Sequence, residues 1–257
     1  MKFRINNFRF QPHPEPVFIL GNEKSGTTII AASLAKASNN QVTLDIPGTW
    51  DPIQTQLERG EISMRSVINN NRFAFSKKII KEPVLTFNYY RLKAIYPKSK
   101  YVLIVRDPRD NIQSILNRLN LPGNLTQLEE ERIKELGLLW KTWNTVIYNQ
   151  WLGIMQTHYI ASMAARWNHI LNFYFDNEED IILIRYEDFL EDKVGTINQL
   201  LRKLEFSAIN DISRFVDIQF QSKGDKTIKR EVFFQKENLA KINSICQNNM
   251  IRIGYEE

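Results

Sequence analysis

One cysteine in 257 residues leaves no partner for an internal disulfide. The chain must therefore hold its fold by burying apolar surface, and it suits a reducing, cytoplasmic setting. The flanking Ile245 and nearby Met250 predict that Cys246 is a buried helical thiol rather than a nucleophile. No apolar run reaches the ~18 residues of a membrane-spanning helix, so none is expected. Histidine is scarce: His13, His158 and His169 are the only three. None lies near a predicted strand end, and no cluster of His, Cys, Asp and Glu has metal-ligand spacing. The opening MKFRINNFRFQPHPEP lacks the apolar centre of a secretory signal and reads as an extended lead-in over 1–16. An acidic surplus is also missing. Lys and Arg outnumber Asp and Glu by 34 to 29, a net charge of +5 that is compatible with a polyanionic ligand.

What is present is an ordinary apolar content of 43%. That is enough to predict one α/β domain spanning 1–257. The chain is organised around Val17 to Ala37, VFILGNEKSGTTIIAASLAKA. Val17 to Leu20 predicts a short buried strand, Gly21 to Thr28 a turn, and the residues from Ile29 onward a helix. A strand, a glycine loop and a helix N-terminus together make an anion cradle, because the first helical N–H groups lack partners and carry partial positive charge. A nucleotide-triphosphatase loop reads G-x-x-x-x-G-K-[ST]. Here Gly21 and Gly26 have that spacing, but Thr27 stands where the lysine belongs and the cation is Lys24.

Further along, QVTLDI (41–46), KKIIK (77–81), YVLIV (101–105) and IILIR (181–185) predict strands. Helices are expected over 52–70 with a break at Gly60, and over 85–96, 108–119, 128–150, 156–175, 188–204 and 235–250. Trp140, Trp143, Trp151 and Trp167 are expected in the core. Short apolar strands alternating with helices predict a central parallel sheet flanked by helices. Ligands of such sheets bind at the carboxyl ends of the strands. Lys24, Asp45, Lys81, Arg106 and Arg185 are all placed on that edge, which describes a cleft for a multiply charged anion.

A second motif narrows the anion. Arg106 follows the strand YVLIV, and Ser114 lies eight residues later in RDPRDNIQS, about one and two-thirds turns into a helix. This pair, following the K-S-G-T-T loop of Lys24, Ser25, Gly26, Thr27 and Thr28, resembles the sulfotransferases that use 3′-phosphoadenosine 5′-phosphosulfate (PAPS), and the terminal helix ending in Ile253-Gly254-Tyr255 resembles their bacterial branch. The resemblance implies a P-loop-like phosphosulfate loop and donor contacts from Lys24 to Thr28. It implies a 3′-phosphate site at Arg106 and Ser114, with further contacts from Lys223 and Gly224. It places Lys81 on the transferring sulfuryl group and Tyr186 near the adenine. The product would be adenosine 3′,5′-bisphosphate (PAP), and no metal is required.

Three positions depart from the family pattern. Ile29 replaces a tryptophan that stacks on adenine, Ser222 replaces an arginine, and Pro83 occupies the place of a histidine base. The base is then expected among carboxylates: Asp45, where a related branch carries a glutamate, or Glu82, whose other role would be to orient Lys81. Two further readings stand beside this one. One is an atypical P-loop kinase or nucleotide hydrolase using ATP and magnesium, and the other a non-enzymatic polyanion binder, for which the basic loop 221–230 could engage nucleic acid. The acceptor is expected to be a small molecule, carbohydrate, lipid or peptide rather than a nucleic acid. Its pocket is assigned to 50–70 and to the helical segment 120–175.

Overall fold

Parallel strands with intervening helices run through the computed structural model, which describes residues 7, 9–139, 141–218, 220 and 228–255. In chain order the elements are β1 (Val17–Gly21), α1 (Thr27–Ser38), β2 (Val42–Thr43), α2 (Ile53–Glu58), α3 (Met64–Asn70), α4 (Arg72–Phe75), β3 (Ile79–Lys81), α5 (Tyr89–Ile95) and β4 (Lys100–Val105). There follow α6 (Pro108–Arg118), α7 (Glu130–Leu139), α8 (Lys141–Ile147), α9 (Tyr159–Phe175), β5 (Ile181–Arg185), α10 (Tyr186–Glu191), α11 (Lys193–Lys203) and α12 (Arg230–Arg252). The sheet order is β2-β3-β1-β4-β5, and every neighbouring pair is parallel. This is the expected α/β architecture.

The chain divides into two compact units, residues 1–105 with 177–221, and residues 106–176 with 222–257. The first holds the whole sheet. β1 sits at its centre and is buried throughout, as VFILG requires of a strand covered on both faces. Alternate residues serve opposite faces. Ile19, Ile79 and Ile104 meet Ile30 and Leu34 of α1 and Leu200 of α11, each of them buried. Each such side chain contributes about 1.5–3 kcal/mol relative to exposure. On the other face Phe18 stacks on Tyr101 at 5.4 Å, and Tyr89 meets Tyr101 edge-on at 4.9 Å.

In the second unit Trp167 is buried, and its indole donates to the Arg106 carbonyl at 2.9 Å. Trp143 and Trp151 are only half-buried, short of the core placement expected of them; Trp140 lies outside the described residues. Cys246 is fully buried, and burial pushes its thiol pKa far up, so it is no nucleophile.

Several element boundaries differ from expectation for local reasons. The strand expected over 41–46 pairs only at Val42 and Thr43, because the Ile46 amide turns away to donate to the Glu82 carboxylate at 2.7 Å. Over 52–70 the expected break at Gly60 is found: Gly60 takes φ 71° between two helices, and the second is restarted by Ser63, which caps the Ser66 amide. The segment 83–88 is a 3-10 turn before α5 begins, because Pro83 starts it and the Glu82 side chain takes the Val84 amide. The helix expected over 188–204 starts two residues earlier, directly after β5, and breaks at Asp192, which caps α11 through the Gly195 amide. In α12, Gln235 has φ 56° and ψ 174°, so regular helix resumes only beyond it.

Candidate functional site

The loop between β1 and α1 is shaped by its backbone. Lys24 adopts φ 64° and Gly26 φ 88°, both in the left-handed region. A Cβ at Gly26 would lie 2.1 Å from Cδ2 of Tyr186, so the tyrosine ring lies directly on the glycine. At the strand end, Gly21 donates its N–H to the Thr86 hydroxyl at 2.9 Å and accepts from that hydroxyl at 3.1 Å. A Cβ there would meet the Ile104 carbonyl oxygen at 2.5 Å. Gly26 caps α1 with no side-chain hydrogen bond, and the first turn carries no acidic residue. The N-terminal amides of α1 thus face the loop with their partial positive charge uncompensated by any carboxylate of their own helix. Thr27 and Ser25 are buried, whereas Thr28 and Lys24 are half-buried.

Because every strand is parallel, the carboxyl ends share one edge. Lys81 ends β3 and Arg185 ends β5, where Arg185 pairs with Asp188 at 3.5 Å. Asp45 follows β2 by two residues and Arg106 is the next residue after β4. Lys81 is 3% exposed and its ammonium bonds the Asp45 carboxylate at 2.7 Å, while Asp45 keeps 49% of its side chain exposed. One member of this pair is therefore desolvated and the other still reaches solvent.

Glu82 does not orient Lys81, contrary to the alternative role expected of it; the carboxylate beside Lys81 is Asp45. Glu82 is 1% exposed, and its oxygens accept from the Ile46 amide at 2.7 Å, the Trp50 indole N–H at 3.1 Å and the Val84 amide at 3.2 Å. It binds the segment 46–50 to the end of β3.

Burial raises the Glu82 pKa to about 7 from 4.5, against the lowering effects of the Lys81 charge and the two amides. The folded chain then holds a proton that the unfolded chain loses above about pH 4.5. The stability contributed by this group consequently falls as pH rises from about 4.5 to about 7, by about 3 kcal/mol in all. Glu82→Gln removes the titration. The melting temperature of the wild type relative to Glu82→Gln is expected to fall between about pH 5 and about pH 7.5. A pH-independent difference in thermal melts would contradict this account.

In the second unit, Arg106 is 14% exposed at its side chain and lies 4.0 Å from Asp110. Ser114 is half-buried on α6. Asp107 caps α6 through the Arg109 amide and also takes the Arg109 guanidinium at 2.9 and 2.7 Å. Lys223 and Gly224 lie outside the described residues. His13 precedes β1, at the amino end of the sheet, and accepts from the Glu15 amide. His158 stacks on Tyr159 at 5.4 Å, and burial with the Lys241 charge lowers its pKa. Burial, aided by Arg166, also lowers that of His169. Among the described residues no group of three His, Cys, Asp or Glu could hold a metal ion, and no helix is long and apolar enough to cross a membrane.

Sequence reasoning missed Thr86, Arg230 and the anchoring of Trp50. No motif marks Thr86, because its partner is backbone 65 residues away. The Arg230 contact with Asp110 spans 120 residues and is equally invisible to local spacing.

Residues 51–211 match the family model described as the sulfotransferase family, a span that begins after the Gly21–Thr28 loop. The solved structures similar to this chain include a sulfotransferase from Alicyclobacillus acidocaldarius, 16% identical, with 95% of this chain and 97% of that chain covered and a TM-score of 0.55. A sulfotransferase from Mycobacterium avium is 10% identical, with 99% and 80% covered and a TM-score of 0.53. A mouse sulfotransferase complexed with PAP is 16% identical, with 96% and 88% covered and a TM-score of 0.52. At these identities the likeness is one of fold. No curated protein sequence matches the chain.

Proposed function

This chain belongs to the sulfotransferase family, and on that premise we propose that it moves a sulfuryl group from PAPS to a hydroxyl or amine acceptor. The observation that carries the reading is the loop from Lys24 to Thr28. Its cation precedes the helix, its glycine lies under Tyr186, and its helix N-terminus has no acidic residue in the first turn. A 5′-phosphosulfate suits such a cradle through backbone amides, the hydroxyls of Thr27 and Thr28, and the Lys24 ammonium. Arg106 and Ser114 take the 3′-phosphate in this proposal, on the strength of their motif. Lys223 and Gly224 join them on sequence grounds alone. Tyr186 is assigned to the adenine. The mouse relative complexed with PAP supports a donor of this kind.

The chemistry asked of the residues is positional and electrostatic. The acceptor oxygen or nitrogen forms a bond to sulfur. The bond from sulfur to the bridging 5′-phosphate oxygen breaks, and its electron pair leaves with PAP. Lys24 neutralises that leaving oxygen and Lys81 the sulfuryl oxygens. The acceptor proton passes to a general base. Asp45 is the better candidate, since it reaches solvent beside Lys81, whereas the Glu82 oxygens already accept three N–H groups.

The test is donor binding followed by thermal melting. PAP without metal is expected to raise the melting temperature, because a ligand binding only the native state shifts unfolding by mass action. ATP with magnesium is expected to raise it less. Equal or larger stabilisation by magnesium ATP would sink the PAPS assignment.

A further inference from the structure

At its carboxyl end β1 outruns one of its neighbours. Its pairing with β3 stops at Ile19 opposite Lys81, whereas β1 continues to Gly21, which lies opposite Ile104 of β4 on the other side. A strand residue presents its N–H and its C=O to the same edge, so Gly21 needs a donor and an acceptor beyond the point where β3 pairs. Both come from one hydroxyl. Thr86 Oγ1 accepts from the Gly21 N–H at 2.9 Å and donates to the Gly21 carbonyl at 3.1 Å, a double use that requires a group carrying both a proton and lone pairs. Thr86 is 2% exposed, so water has little access to these bonds.

The placement matters because Gly21 is where strand becomes loop. It takes φ 146°, and with no side chain it cannot be pinned by contacts of its own. The pin reaches it from Thr86, 65 residues along the chain. Gly21 in turn abuts the first residue of α1, since a Cβ built on it would lie 2.8 Å from the Thr27 methyl carbon. Thr86 itself sits in the 83–88 turn, which starts directly after Lys81 and Glu82 and is fixed to the Glu82 carboxylate by the Val84 amide. One hydroxyl thus ties the start of the anion loop, and through Gly21 the Thr27 end of α1, to the turn that follows Lys81. We propose that Thr86 is a positioning residue for the donor: its hydroxyl sets where the 21–28 loop and the α1 N-terminus stand relative to Lys81. A misplaced loop costs more than two bonds, because its amides and hydroxyls must converge together on one phosphosulfate. This inference rests on the proposed binding of the 5′-phosphosulfate by that loop.

The test measures dissociation constants for PAP and for adenosine 3′-monophosphate, which lacks the 5′-phosphate, well below the melting temperature of each variant. Thr86→Val keeps the shape of the side chain and removes both bonds. It is expected to weaken PAP about tenfold or more and to leave the 3′-monophosphate within about twofold of wild type. Thr86→Ser keeps the hydroxyl and is expected to bind PAP within about threefold of wild type. A residue that merely braces the fold would lower the melting temperature and leave PAP affinity untouched in the folded variant. Wild-type PAP affinity in Thr86→Val, equal losses for both nucleotides, or a Thr86→Ser variant as weak as Thr86→Val overturns the inference.

Should Thr86→Val not fold, Thr86→Ala decides. The space it leaves admits a water that can satisfy Gly21 without holding it in place, so PAP is again expected to weaken, by about threefold or more, and wild-type affinity refutes the positioning role. The wild-type protein separates the two levels of the argument. If it fails to bind PAP, the donor assignment falls and this inference with it. If it binds PAP and Thr86→Val binds equally well, only the role of Thr86 falls.

Discussion

Replacing Lys81 by methionine is expected to lower turnover by about 10²–10³, the cost of losing one preorganised charge at a reacting centre, while the melting temperature stays level or rises. The two halves of this result have separate causes. Lys81 is 3% exposed, so the folded chain bears the desolvation of its ammonium, offset by the Asp45 carboxylate at 2.7 Å. Methionine fills a similar volume without a charge, and Asp45, half exposed, rehydrates. Asp45→Asn runs the other way. It leaves a buried ammonium without its carboxylate, which is expected to cost about 1–2 kcal/mol of stability, less than the full burial penalty because Asp45 itself is solvated. If Asp45 is the base, turnover also falls by about 10²–10⁴. Thermal melts and initial rates on both variants, with a competent acceptor, check the pair. A stability loss for Lys81→Met matching that of Asp45→Asn would mean that the ion pair, rather than the chemistry, is what the fold requires. Full turnover in Asp45→Asn would remove Asp45 as the base.

Gly26→Ala carries the second large effect. The residue has φ 88°, which costs a side chain about 1–3 kcal/mol. The new methyl would also sit 2.1 Å from the Tyr186 ring, an overlap that no small adjustment absorbs. A combined loss of about 2–4 kcal/mol in denaturant unfolding is expected. PAP affinity should fall at least about tenfold, because the loop amides can no longer converge. Placing Gly26→Ala in a Tyr186→Ala background separates the two causes. The overlap disappears and the backbone strain remains, so the stability cost of Gly26→Ala should shrink without vanishing. An unchanged cost in that background would show that the ring plays no part.

How much of this was legible in the sequence follows from the range of the forces involved. Periodicity, glycine spacing and proline position act within a few residues. They placed the five strands, the α6 start at Pro108 and the loop from Gly21 to Thr28. They also brought Lys81, Asp45 and Arg185 to the carboxyl edge, because strand direction in alternating β and α elements fixes where each strand ends. The same local signals overran at 41–46 and 188–204. There a side chain settled the backbone, through the Glu82 contact with the Ile46 amide and the Asp192 cap on Gly195.

The partner of each charge was decided only by the tertiary structure. In sequence Glu82 adjoins Lys81 and looks like its counter-ion. In the fold Lys81 pairs with Asp45, 36 residues away, while Glu82 gathers three N–H groups. Burial sets that choice, since a desolvated group takes whichever partner the packed backbone brings within hydrogen-bond distance, and neighbours in a strand point to opposite faces. For the same reason Arg230 is an ordinary basic residue in the sequence and a bridge between Asp107 and Asp110 in the structure. The sequence alone determined where an anion cleft would lie, by the types of residue and their local spacing. The tertiary structure alone determined which charge answers which, because that depends on distances across the chain that no local pattern encodes.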